Sequence, residues 1–131
     1  LGSPQNAANL VHETAIIGSE CSYGNGLTMG PYSALTTKVT LGRHVHINSL
    51  VSVNQSSNIA DYCTLSPGVR ICGDVSVGEA TSIGAGAVVI NVKTIGSDCI
   101  LGAGTVVIND IQNGSTVVGV PGKIIKTQNT F

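Results

Sequence analysis

Aromatic side chains are nearly missing: three tyrosines, one phenylalanine and no tryptophan among 131 residues. A core normally fills volume with such rings. Without them it must be narrow and lined by side chains of middle size. Charge is also scarce, at 10% of residues with a net charge of -1. No basic block occurs, which argues against nucleic acid and anionic membrane surfaces as partners. No run of about 18 apolar residues is present, so no helical membrane span is expected. Nor is there a basic start followed by an apolar centre of signal-peptide type. A cytoplasmic location is the expectation.

What is abundant is aliphatic side chains and glycine, with 17 glycines. Every sixth residue from Val11 is hydrophobic: Val11, Ile17, Tyr23, Met29, Leu35, Leu41, Ile47 and onward without insertion to Leu101 and Val107. A second column stands four residues later in each hexapeptide. It holds small or branched residues such as Ala15, Cys21, Val39, Val45, Cys63, Val69, Ala87 and Cys99, with Lys93 the clear exception. Three of the four cysteines therefore read as buried, reduced small hydrophobes. Cys72 falls at a corner, and no CxxC pair suggests zinc.

A period of six fits neither a helix nor a hairpin sheet. It fits a triangular solenoid in which each side is one short strand and one turn, and three hexapeptides close a coil. Coils stacked at about 4.8 Å would make a prism of nearly six coils, about 27 Å tall. The fold class is all-β, a parallel β-helix. Residues 1–10 are read as a tail, 11–110 as the β-helix and 111–131 as a cap and tail. Glycine often follows the large aliphatic, as at Gly18, Gly24, Gly42, Gly78, Gly84 and Gly96. These glycines are expected to permit the sharp turns between strands, and Asn48, Asn54 and Asp110 stand near such corners, where Asn tolerates left-handed geometry. After Val107 the count of six breaks. Residues 111–115 read as a turn, and 116–121 as a final strand covering the open coil end.

Outward positions are mostly polar, with one exception. Every eighteenth residue from Ile16 gives Ile16, Ala34, Ser52, Arg70, Val88 and Val106. This stripe is expected to expose large aliphatics and to form a subunit interface, with a trimer leaving three grooves between prisms.

The runs Ile83-Gly84-Ala85-Gly86-Ala87-Val88-Val89 and Leu101-Gly102-Ala103-Gly104-Thr105-Val106-Val107 resemble bacterial hexapeptide acyltransferases. The chain is most similar to the branch of sialic acid O-acetyltransferases and nucleotide-aminosugar N-acetyltransferases. His12-Glu13-Thr14-Ala15, Leu65-Ser66-Pro67-Gly68 and Val118-Gly119-Val120-Pro121-Gly122-Lys123 match its opening, middle and closing motifs. The resemblance spans residues 11–126. It implies a left-handed β-helix, a homotrimer, acetyl-CoA as co-substrate and transfer to a hydroxyl or amine of a sugar or sugar nucleotide; the low charge adds the expectation of no nucleic acid and no membrane partner. It places acetyl-CoA contacts near Thr64, Ser66, Gly73, Ala85, Gly86, Ala103 and Val120, with Lys123 toward the CoA phosphates. The branch usually adds an amino-terminal α/β domain that helps bind the sugar nucleotide, and these 131 residues do not include one.

The resemblance also sets a chemical expectation that the residues do not meet. The family's general-base histidine and its acidic neighbours belong in the stretch Ile47–Ser56. Here Asn54-Gln55-Ser56 stands there. Glutamine does not titrate and cannot abstract a proton. The catalytic candidates are therefore His46 and His44, both expected to point outward, with Asn54 and Gln55 at the vacated base position. Three readings stay open: transfer with another base, transfer to an already unprotonated amine, or a trimeric scaffold or acyl-CoA binder without activity. A hexapeptide carbonic anhydrase is a further alternative, since His44 and His46 could share a strand face. No metal site is assigned.

Overall fold

A computed structural model describes residues 7–128. Seventeen two-residue strands follow one another every six residues, from β1 (Leu10–Val11) through β7 (His46–Ile47) and β10 (Thr64–Leu65) to β17 (Val106–Val107). Two longer strands follow, β18 (Ser115–Val118) and β19 (Lys123–Thr127). Every third strand pairs in parallel, giving three sheets of eight, six and five strands. The fold is the expected β-helix of about six coils. Among the described residues there is no helix.

The register is eighteen residues per coil. Thr64 lies between His46 and Ser82 on the first sheet, and Arg70 between Ser52 and Val88 on the second. Each coil thus places its aliphatic on the same residue type one coil below. Leu35, Val53, Ile71 and Val89 form one such buried column. Each fully buried aliphatic stabilises by about 1.5–3 kcal/mol. The second column is also buried, including Cys63 and Cys99. Its polar members are satisfied inside: Ser57 donates to the Cys72 carbonyl at 2.9 Å, and Thr81 to the Gly96 carbonyl at 2.8 Å. Cys21 and Cys72 are half-buried, and all four thiols are free. Lys93 interrupts the column and stays half-buried.

Neither Gly18, Gly42, Gly78 and Gly84 nor Asn48, Asn54 and Asp110 carry the left-handed backbone of the corners. That conformation sits two residues further on and recurs every six residues, mostly without glycine: Glu20, Tyr32, Lys38, His44, Leu50, Ser56, Tyr62, Asp74, Ala80, Val92 and Asp98 all have φ between 53° and 63°. The early corner glycines answer a different need. A Cβ on Gly18 would stand 1.6 Å from the Thr36 carbonyl oxygen, and one on Gly84 2.6 Å from the Ala103 nitrogen. They are glycine because the next coil lies against them.

The ends differ in detail from the sequence reading. Strand pairing begins at Leu10, inside the expected tail. Ile111, expected in a turn, is buried and bridges Ile95. The turn before it is two residues short: Thr94 N–H donates to Asp110 sixteen residues on, where the coils elsewhere repeat at eighteen. The coil therefore closes although the count of six slips. β18 adds to the first sheet in parallel, and β19 folds back antiparallel on β18.

Candidate functional site

Three edges separate the sheets, and the candidates distribute over them. The first edge, between the first and second sheets, gathers Ser66, Ala85, Gly86 and Ala103. Its left-handed position changes character along the prism. The lower coils carry Tyr32 and Leu50, 69% and 54% exposed. The upper coils carry Gly68, Gly86 and Gly104, with φ of 77°, 69° and 70°. A Cβ on Gly86 or Gly104 would meet nothing within 4 Å. The Gly86 amide is bonded to the Pro67 carbonyl and the Gly104 amide to the Ala85 carbonyl. The result is a straight strip of bare backbone flanked by Ala85 and Ala103, where a thin ligand can approach closely. Gly68 and Gly104 were not among the expected contacts. Their signal was glycine recurring at eighteen residues, one coil apart.

The second edge, between the second and third sheets, holds Asn54, Gln55 and Gly73. Asn54 is engaged structurally, its Nδ2 donating to the Ile71 carbonyl at 2.7 Å. Gln55 is exposed, and its amide lies over Gly73. Gly73 therefore differs from Gly86: the space a side chain would take is filled by Gln55. The first and second edges flank the second sheet, so one chain does not bring Gln55 to the bare strip.

His46 is exposed in β7 on the first sheet, beside Thr64. His44 is not an outward strand residue as expected. It sits on the third edge, half-buried, at φ 53°, and its ring lies parallel to that of Tyr62 with centroids 5.4 Å apart. Gly26 beneath makes room for it, since a Cβ there would stand 2.5 Å from His44 Nδ1. The two histidines do not share a strand face. Among the described residues no three His, Cys, Asp or Glu side chains gather as a metal site.

On the same edge Arg43 pairs with Asp61. The Arg43 main-chain N–H donates to Asp61 Oδ1 at 2.7 Å, and its guanidinium to Oδ2 at 2.9 Å. These bonds hold the Asp61 carboxyl below its usual range. Burial pushes the Cys63 thiol up, which keeps it a poor nucleophile.

The stripe on the second sheet is only partly as expected. Ile16 is 62% exposed, whereas Val88 and Val106 are half-buried. Arg70 turns along the sheet to the first edge, its Nη1 donating to the carbonyls of Leu50, Gly68 and Val69. At the carboxyl end, Gly119 and Gly122 are bonded to Val106, which sets Val120 at the head of that sheet, 73% exposed. Lys123 pairs with Val118 in β19.

No protein-family model matches the chain. It is similar to GDP-perosamine N-acetyltransferase of Escherichia coli O157:H7, 30% identical over 78 residues, covering 60% of this chain and 35% of that protein. Among solved structures it is similar to PerB from Caulobacter crescentus in complex with CoA and GDP-perosamine, with a TM-score of 0.90 and 33% identity over 92% of this chain and 58% of that one. The acetyltransferase domain of PglB from Neisseria gonorrhoeae in complex with acetyl coenzyme A gives a TM-score of 0.86 and 29% identity over 88% of this chain and 56% of that one. The chain thus spans little more than half of these solved chains and about a third of the curated enzyme. With the hexapeptide register and the three-sheet prism, these likenesses make the chain similar to hexapeptide-repeat acyltransferases, whose β-helix it shares.

Proposed function

We propose that this chain is the catalytic β-helix of an acetyl-CoA-dependent N-acetyltransferase acting on the amine of a nucleotide sugar. The observation that carries the reading is the bare strip of Gly68, Gly86 and Gly104. A pantetheine arm needs close backbone approach over several coils, and the strip offers it. Ser66, Ala85 and Ala103 border that path. Val120 and Lys123 stand at its carboxyl end, where Lys123 would meet CoA phosphates. Similar proteins supply the acceptor class: a GDP-perosamine N-acetyltransferase, and a structure holding both CoA and GDP-perosamine.

Reaction is direct attack. The acceptor nitrogen bonds to the thioester carbonyl carbon, the carbon–sulfur bond breaks, and the proton leaves nitrogen as CoA departs as thiol. Gln55 cannot take that proton. His46 is the imidazole of the first sheet, which adjoins the strip, and imidazole suits the task near neutral pH. Assembly is a homotrimer. Packing second sheets around a three-fold axis sets the second edge of one subunit, with Gln55 and Gly73, against the bare strip of the next. A cytoplasmic location accords with four free thiols.

The test is incubation with acetyl-CoA and a panel of amino-sugar nucleotides, with products weighed by mass spectrometry. Acetylated amine is the expected product. Binding of CoA without any product would leave the acyl-CoA-binding scaffold as the function.

A further inference from the structure

The left-handed positions of the first edge form one line, Tyr32, Leu50, Gly68, Gly86 and Gly104, each one coil above the last. The step from side chain to bare backbone falls between Leu50 and Gly68. The Gly68 N–H donates to the Ser49 carbonyl at 3.0 Å, which sets Leu50 directly below it. Leu50 adopts φ 59° with 54% of its surface open. That backbone is costly for leucine and free for glycine. With more than half of its surface exposed, packing within its own chain does not account for the side chain. Arg70 fixes the junction: its Nη1 donates to the carbonyls of Leu50, Gly68 and Val69. One guanidinium thus ties the last side chain of the line to the first bare position.

Charge gives the direction of a CoA thioester along this line. Lys123 and Lys126 stand in β19, at the carboxyl end of the strip. Below Gly68 the edge offers Pro31, Tyr32, Ser49 and Leu50, none of them a cation. Phosphates belong at the lysine end, which sends the acyl group down toward Leu50. A short acyl group ends above the Leu50 side chain. A longer one meets it.

We propose that Leu50 limits the length of the acyl group by closing the lower end of the strip. Its purpose rests on the acyl-CoA reading of that strip. Glycine at this position would extend the strip by one coil of about 4.8 Å, room for about three or four C–C bonds of about 1.5 Å. Tyr32, 69% exposed, closes the next position and caps the gain.

The test is isothermal titration calorimetry with acetyl-, hexanoyl- and decanoyl-CoA. The parent chain should bind hexanoyl-CoA about tenfold or more weaker than acetyl-CoA. Leu50→Gly should shrink that ratio about fivefold or more, with decanoyl-CoA still disfavoured. Its melting temperature should not fall, because glycine is unstrained at φ 59°. Leu50→Tyr, which repeats the residue one coil lower, should keep hexanoyl-CoA excluded. An equal hexanoyl-to-acetyl ratio in the parent and Leu50→Gly would overturn the proposal, as would an equal gain for decanoyl-CoA. Acetyl transfer on the same preparations keeps the readings apart. Transfer with an unchanged ratio sinks the length limit alone. A shifted ratio without transfer upholds the limit and sinks the transferase reading. Absence of any acyl-CoA binding sinks both.

Discussion

The amide of Gln55 occupies the space that a Cβ on Gly73 would need, with Nε2 only 2.5 Å from that position. Gly73 is therefore the seat of Gln55, at the place where family resemblance expects a titrating base.

This relationship predicts a non-additive pair. The clash falls on the far end of a flexible side chain, so Gly73→Ala should change stability by less than about 1 kcal/mol. It should nevertheless dislodge Gln55. If the Gln55 amide helps hold the thioester, Gly73→Ala and Gln55→Ala should each lower kcat by a similar factor, and the double variant should be no worse than either. Steady-state kinetics on the cycle checks this. Additive losses would mean that the two residues act separately.

The base assignment predicts a split between the two histidines. With His46 taking the proton, His46→Gln should lower kcat by about 100-fold and leave KM for acetyl-CoA nearly unchanged. His44→Gln should leave kcat unchanged. Equal kcat in His46→Gln and the parent chain, measured by steady-state kinetics, would assign the reaction to free amine alone.

The corners predict opposite outcomes for two kinds of substitution. Gly18→Ala drives a methyl into the Thr36 carbonyl and should cost at least about 3 kcal/mol. Val92 is exposed at φ 60°, where a β-branched residue is strained. Val92→Asn should stabilise by about 1 kcal/mol. Thermal melting of the two variants measures both signs.

Asp61 predicts an acid limb in stability. Its folded carboxyl titrates lower than its unfolded one because Arg43 donates to it from main chain and side chain. The contribution is therefore complete above the unfolded value of about 3.9 and disappears as pH falls through the folded value. Asp61→Asn should flatten the loss of melting temperature below about pH 4 and change little at pH 7 beyond the loss of a mostly exposed pair. An acid limb of equal steepness in the variant would place its origin elsewhere.

Much of this was legible in the residues. The hexapeptide column from Val11 to Val107 gave the coils, the three sheets and the burial of Cys63 and Cys99. The corners are less legible, because composition shows where glycine is but not why. At Gly18 and Gly84 the cause is contact with the next coil, which depends on stacking and not on local backbone. The left-handed positions fall on Glu20, Leu50 or Val92, residues that advertise no such preference. The bare strip was half visible, through Ala85, Gly86 and Ala103. Gly68 and Gly104 join it only when glycines are compared one coil apart. The His44–Tyr62 pair was hidden for the same reason: residues eighteen apart are neighbours only once the coil is drawn.

The central claim is that acetyl-CoA lies on the bare strip and is consumed there. Gly86→Tyr tests it most directly. The chain already carries Tyr32 at the equivalent position three coils lower, at φ 58°, so the substitution is compatible with the edge. Release of free CoA thiol should be measured for both proteins with an amino-sugar nucleotide as acceptor. The account predicts thiol release by the parent chain, and a rise in KM for acetyl-CoA of tenfold or more in Gly86→Tyr at unchanged melting temperature. Equal acetyl-CoA dependence in the two proteins, or no thiol release by the parent chain, would contradict it.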